Sequence, residues 1–296
     1  MAIGVRWGAA TDAGRVRELN EDSLLAEPPL FAVADGVGGH AAGEVASGIA
    51  VAGLGRFVGS RAVEASSVLA AVRNANVDIR AHATDLPQAN SEAQRGMGST
   101  VVGLALSWSD GGDTVLVFNV GDSRVFCLSE GRLVQISRDH SLVDELLRAG
   151  HISAEEALVH PHRSVITRAL GAAEDVDVDS WQVEPRLGDR YLLCSDGLTN
   201  EVGFDEVQHV LSAVEDPQEA AQQLVQLALD HGGRDNVTAV VVEVSSVAPN
   251  GGATGGPGTL ASPVDRAAGP AVLGDEPSTK PLPSVVPEPP RPRPHP

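Results

Sequence analysis

Cysteine is nearly missing. Cys127 and Cys194 are the only two in 296 residues, and both stand inside apolar runs. They read as small buried core residues, and no CxxC or Cys/His spacing suggests zinc. Aromatics make up 3%, so Val, Leu and Ala must fill the core that a 42% hydrophobic content allows. Basic residues are also scarce: 21 Lys plus Arg stand against 40 Asp plus Glu, a formal net charge of −19. Nucleic acid and anionic membranes both need a basic surface, so the balance argues against either partner. An acidic protein still handles phosphate if bound cations reverse the sign locally. No stretch reaches the ~18 uncharged apolar residues of a membrane span. The opening "MAIGVRWGAATDAGRVRE" has no apolar core of a signal peptide. A cytoplasmic, monomeric protein without a membrane partner is expected.

Composition shifts near Ser246. Pro, Gly, Ala and Ser dominate 247–296, without apolar periodicity. Such a segment buries too little surface to offset its ordering entropy, so a disordered tail is expected. Its end, "PEPPRPRPHP", is polyproline-like and a candidate docking peptide for a Pro-binding module, with a plain tail the favoured reading. Residues 1–246 read as one domain. Strand-like runs fall at 23–27, 30–35, 100–108, 114–120, 124–128, 132–137, 178–184, 190–195 and 237–244. Helix-like stretches fall at 41–58, 67–84, 141–149, 154–159, 204–214 and 217–231. The last opens on Asp216 as N-cap, Pro217 at the first position and Glu219 in capping-box spacing. Ser153 and Glu156 share that spacing. Strand meanders between helix pairs favour an antiparallel layered fold over a βαβ repeat.

Several apolar runs end on a carboxylate at a glycine turn: "FAVADGVGG" (31–39), "VFNVGDSR" (117–124) and "LLCSDGLTNE" (192–201). Adding "RELNEDS" (17–23) and "GGRDNVT" (232–238) gives Glu21, Asp22, Asp35, Asp122, Asp196 and Asp235. Each alone reads as an ordinary turn former. If the strands pair, Asp35, Asp122, Asp196 and Asp235 meet at one edge of the sheet system. Clustered carboxylates repel unless a cation neutralises them. All-oxygen ligands select Mg²⁺, Mn²⁺ or Ca²⁺. Two such ions about 4 Å apart share an activated water and clamp an in-line phosphoryl displacement. Gly36 and Gly197 let the backbone approach an ion closely. Arg17, five residues before Asp22, is a candidate bidentate phosphate ligand.

Eight segments in order resemble the metal-dependent protein serine/threonine phosphatases of the 2C type, the bacterial ones in particular. They are "RELNEDS" (17–23), "FAVADGVGGHAAGEVAS" (31–47), "GMGST" (96–100), "NVGDSRVF" (119–126), "SRDHS" (137–141), "HPHRSVITRALG" (160–171), "GDRYLLCSDGLTN" (188–200) and "GGRDNVTAVVVEV" (232–244). The resemblance implies an α+β fold, a four-layer αββα sandwich of two antiparallel sheets flanked by helix pairs. It implies two Mn²⁺ or Mg²⁺ ions bridged by Asp35, with the Gly36 carbonyl on one and Asp196 and Asp235 on the other. Asp22 would hold metal-bound waters, Asp122 would serve a third ion, and Arg17 would bind the substrate phosphate. Residues 142–165 fall where the family carries a mobile flap. The implied reaction is attack of a metal-bridging hydroxide on phosphoserine or phosphothreonine, opposing bacterial Ser/Thr kinases, with no phospho-enzyme.

The eukaryotic pattern has a His directly after the Asp-Gly turn, where this chain has Val37. His40 and a metal-bound water are both candidate acids, and His160 and His162 are candidate substrate contacts beside the flap. Two rivals remain. "GVGGHA" fits a dinucleotide fingerprint, but Asp35 would aim a carboxylate at the pyrophosphate and no second strand follows promptly. The other is a catalytically inactive phosphatase-like scaffold or sensor, against which the full set of aspartates stands.

Overall fold

A computed structural model of the chain describes residues 3–38, 42–85, 96–109 and 112–247. His40 and the tail beyond Val247 lie outside the described residues.

The strands are β1 (Gly4–Asp12), β2 (Asp22–Glu27), β3 (Leu30–Val37), β4 (Gly98–Ser99), β5 (Val101–Ser109), β6 (Gly112–Val120), β7 (Arg124–Ser129), β8 (Arg132–Gln135), β9 (Asp179–Val183), β10 (Arg190–Cys194) and β11 (Val237–Ser246). The helices are α1 (Ala42–Gly55), α2 (Ala65–Asp85), α3 (Leu142–Arg148), α4 (Ala154–Leu158), α5 (Asp196–Thr199), α6 (Phe204–Ala213) and α7 (Pro217–Asp230). One sheet runs β1-β11-β10-β7-β8; the other runs β2-β3-β5-β6-β9, with β4 beside β3. The strand pairs are antiparallel.

Period-2 alternation divides the apolar side chains among three cores. In β3, Phe31 and Val33 face the other sheet, meeting Tyr191 and Leu193 of β10 and Val240 and Val242 of β11. Leu30, Ala32 and Ala34 face outward onto α1 and α2. In β10, Leu192 and Cys194 face outward onto Val207, Val210 and Leu211 of α6 and Leu224 of α7. The result is the expected αββα order. Small Ala side chains dominate the α1 interface, including Ala42, Ala46 and Ala50, which lets that helix lie close to β3.

Local chemistry appears where the spacing predicts it. Ser153 and Glu156 form a reciprocal capping box on α4. Asp216 accepts from the N–H groups of Gln218 and Glu219 ahead of α7. The β7–β8 hairpin turns on Glu130 and Gly131, both at positive φ (54° and 78°), the pattern of a type I′ turn. The first strand is an addition: nothing in its composition marks 4–12 as a strand, yet it pairs with β11 along its length.

Candidate metal centre

The carboxylates come to one end of the sandwich because five chain segments end there. Asp22 opens β2 and Asp35 lies near the end of β3, directly opposite each other in register. Asp122 sits in the turn from β6 to β7, so it lies where the chain passes from one sheet to the other. Asp196 follows β10 and Asp235 precedes β11, neighbours in the same sheet.

Hydrogen bonds tie these ends together. Thr100 accepts from the Asp35 N–H at its Oγ1 (3.0 Å) and donates its own N–H to the Asp35 carbonyl (2.8 Å). The same Oγ1 meets Ser123 Oγ at 2.8 Å, fixing the turn that carries Asp122. Gly121 there takes φ 108°, in the left-handed region. Ser195 Oγ donates to Asp22 Oδ2 at 2.8 Å and accepts from the Thr238 N–H at 3.0 Å. A Cβ on Gly36 would lie 2.2 Å from the Gly43 carbonyl oxygen, and one on Gly197 would lie 2.0 Å from that of Asn236. Both glycines are there for close backbone approach.

The electrostatics are those of a site short of positive charge. Burial first, then the charges of Asp22, Asp196, Asp122 and Asp235, push the Asp35 carboxyl well above its ordinary range. The other four acids therefore all act on Asp35. Burial, opposed by hydrogen bonds and reinforced by Asp196 and Asp235, raises Asp22 to about 7. Burial and the charges of Asp196 and Asp139 raise Asp122 to about 7. Burial and Asp235 raise Asp196, which also hydrogen-bonds the Asp35 side chain. Two carboxyls in such contact must share a proton unless a cation separates them.

Among the described residues, no three acidic, His or Cys side chains already surround one point as metal ligands. The carboxylates are engaged elsewhere: Asp235 Oδ2 accepts from Arg17 Nη2 at 2.8 Å, and Asp196 Oδ2 from Asn200 at 3.0 Å. The residues nonetheless fit a hard divalent cation. The donor set is all oxygen, the carboxyls outnumber the guanidiniums beside them, those of Arg17 and Arg124, and Asp22 Oδ1 and Glu21 Oε1 are buried with no hydrogen-bond partner. Glu21, which sequence reasoning collects without assigning it a role, places its carboxyl over Gly43, where a Cβ would be 2.9 Å away.

A cleft of about 350 Å³ opens beside Asp122 and Asp196, walled by Val143, Leu147, Leu158 and Arg163 of the 142–165 segment. His160 is not among its lining residues; it is half-buried in the turn after α4, its Nδ1 accepting from the His162 N–H. Sequence reasoning also leaves His140 without a role. It is 4% exposed, its Nδ1 accepts from the Gly121 N–H at 3.0 Å, and its Nε2 faces Asp179 at 3.2 Å. Beside it, Asp139 accepts from the Arg124 guanidinium through both oxygens. The only signal for the Asp139 and His140 pair was the motif "SRDHS".

An αββα sandwich that gathers mutually repelling carboxylates at one end of its sheets defines a protein built to bind divalent cations through oxygen. The family model described as Protein phosphatase 2C matches residues 12–228. The chain is 41% identical over 248 residues to the serine/threonine protein phosphatase PstP of Mycobacterium tuberculosis, covering 82% of this chain and 46% of that protein. It thus spans about half the length of that relative. It is 38% identical over 248 residues to the serine/threonine phosphatase stp of Listeria monocytogenes, covering 79% of this chain and 93% of stp. A crystal structure of the PstP catalytic domain in complex with 2 manganese ions matches with a TM-score of 0.71 at 37% identity, covering 83% of this chain and 100% of that one. The chain belongs to the protein phosphatase 2C family.

Proposed function

We propose that the protein is a metal-dependent phosphatase of phosphoserine and phosphothreonine in proteins. The observation that carries this reading is the convergence of Asp22, Asp122, Asp196 and Asp235 on the half-buried Asp35, whose carboxyl desolvation and their charges push up. Such an arrangement is electrostatically unfavourable until cations enter it. Asp35, the Gly36 carbonyl, Asp196 and Asp235 hold two ions in this proposal, Mn²⁺ or Mg²⁺. Asp22 and Glu21 hold ordered water around them, and Asp122 serves a third ion. When bound, such ions supply Lewis-acid charge and lower the pKa of water.

The chain's own residues supply the rest. Arg17, more than half exposed at the rim, is free to leave Asp235 once a cation takes that carboxylate, and then offers its guanidinium to the phosphate. Asp22, held by Ser195, is placed to accept a proton from an attacking water. Cys194 is fully buried and its thiol is pushed up to about 12, first by burial, so it is no nucleophile. His40 and His160 remain proposed as proton donor and substrate contact. The reading extends to a monomer that opposes Ser/Thr kinases in the cytoplasm, its catalytic domain at 1–246 and a disordered tail at 247–296 open to a Pro-binding module. No helix among the described residues is long and apolar enough to cross a membrane.

The test is hydrolysis of a phosphothreonine peptide across a Mn²⁺ titration, wild type against Asp35→Asn. Turnover that saturates with Mn²⁺, and falls about 10²–10³-fold or more in the variant, is expected. A folded, Mn²⁺-loaded wild type without turnover would overturn the enzyme in favour of the scaffold.

A further inference from the structure

Arg17 rides on a loop that nothing apolar holds down. Val16 and Leu19 are 66% and 48% exposed, and residues 15–19 face solvent. Its two ends nevertheless meet on one side chain. Asn236, 5% exposed, donates from Nδ2 to the carbonyls of Ala13 (2.9 Å) and Leu19 (2.8 Å), and accepts at Oδ1 from the Glu21 N–H (2.8 Å). The orientation of the amide is forced. Rotating it by 180° would set its NH₂ against the Glu21 N–H and its oxygen against two carbonyls. Other ties reach the loop from the Asn236 side of the molecule. The Arg15 N–H donates to the Gly233 carbonyl at 2.7 Å, and Arg15 Nε donates to the Leu229 carbonyl at 2.7 Å. These hold the flank of the loop, and Asn20 Nδ2 donates to Thr11 Oγ1 at 2.8 Å across its mouth; among the described side chains outside the loop, Asn236 is the one that bonds the backbone at both of its ends.

We propose that Asn236 is a positioning residue for phosphate recognition: its carboxamide closes the 13–21 loop and so sets the Arg17 guanidinium at the phosphate. The kinetic part of this inference rests on the phosphatase reading; the binding part does not. A guanidinium fixed by its backbone loses less freedom when it grips an anion, and about 1 Å of misplacement is enough to cost up to about 100-fold in rate. Asn236→Ala removes all three bonds. Asn236→Asp keeps the shape but turns the two donors into acceptors facing two carbonyl oxygens, so it should behave at least as badly.

The test is a double-mutant cycle among wild type, Asn236→Ala, Arg17→Ala and the double variant, all Mn²⁺-loaded, with the circular dichroism spectrum and Tm of each variant as the check on any folding defect. Three measurements are made: the Kd of inorganic phosphate by calorimetry, kcat and KM on a phosphothreonine peptide, and the half-saturating Mn²⁺ concentration. Asn236→Ala should weaken phosphate binding and raise KM by about 10-fold or more, and should cost less than about 2-fold once Arg17 is gone. Equal losses in both backgrounds would overturn the proposal, as would a fall in Mn²⁺ affinity matching the loss, which would assign Asn236 to Asp235 instead. Coupled phosphate binding without peptide turnover keeps the Asn236 inference and removes the phosphatase reading. Turnover with additive losses does the reverse. A wild type that binds no phosphate sinks both.

Discussion

Asp22 and Asp35 face each other across β2 and β3, a cross-strand pair of like charges. Such a pair weakens a sheet unless something neutralises it. Protons do so in the metal-free protein, and that gives a pH dependence of definite sign. The folded-state values of Asp22 and Asp122, both about 7, lie above the ordinary 3.8. Between those limits the folded state binds more protons than the unfolded chain, so stability falls as pH rises. In EDTA, Tm should drop by about 5 °C or more between pH 5 and pH 8. Asp122→Asn should flatten the slope, and excess Mn²⁺ at pH 8 should restore the lost stability by mass action. A Tm in EDTA that stays level or rises over this range would mean that the carboxyls are not mutually stressed.

Strand ends, rather than any one side chain, bring the carboxylates together, so moving an element should act at a distance. Gly197 opens α5 against the start of β11, and an added Cβ would sit 2.0 Å from the Asn236 carbonyl oxygen. Gly197→Ala should therefore push Asp196 away from Asp235. We expect a loss of about 1–3 kcal/mol in stability from the overpacking, and a rise of about 10-fold or more in the half-saturating Mn²⁺ concentration. Unchanged Mn²⁺ affinity would show that the two segments are not held in register by this contact. The same elements explain what was legible beforehand. The apolar runs Leu30–Ala34 and Leu192–Cys194, and the caps at Ser153 and Asp216, are local signals, and the structure makes strands of the runs and caps of the spacings. The strand β1 carried no such signal: it is an edge strand with one buried residue, Gly8, and it pairs with β11, a segment remote from it in sequence. Helix α5 is four residues long and begins at the Asp196-Gly197 dipeptide, which reads as a turn. The aspartates showed themselves because each ends or precedes an apolar run. Their supports did not, because Ser195 meets Asp22 across 173 residues and Asn236 meets Glu21 across 215.

At the scale of the molecule, charge decides which substrates arrive. Residues 247–296 carry four acidic and four basic side chains, so the formal −19 resides in 1–246. Bound cations reverse the sign only at the floor of the site. The surrounding surface repels an anionic phosphopeptide and attracts one flanked by Lys and Arg. The encounter rate, and with it kcat/KM, should favour a basic-flanked phosphothreonine peptide over an acidic-flanked one of equal length. Added salt screens both effects, since the Debye length shrinks from about 30 Å at 0.01 M to about 8 Å at 0.15 M. Raising ionic strength across that range should lower kcat/KM for the basic peptide and raise it for the acidic one, so the ratio converges toward one. Steady-state kinetics of the two peptides at fixed Mn²⁺ and pH measures this directly. Truncation after Val247 should leave the salt response unchanged, because the tail contributes no net charge. A ratio indifferent to salt, or one favouring the acidic peptide, would place substrate choice in contacts at the cleft rather than in the field of the domain.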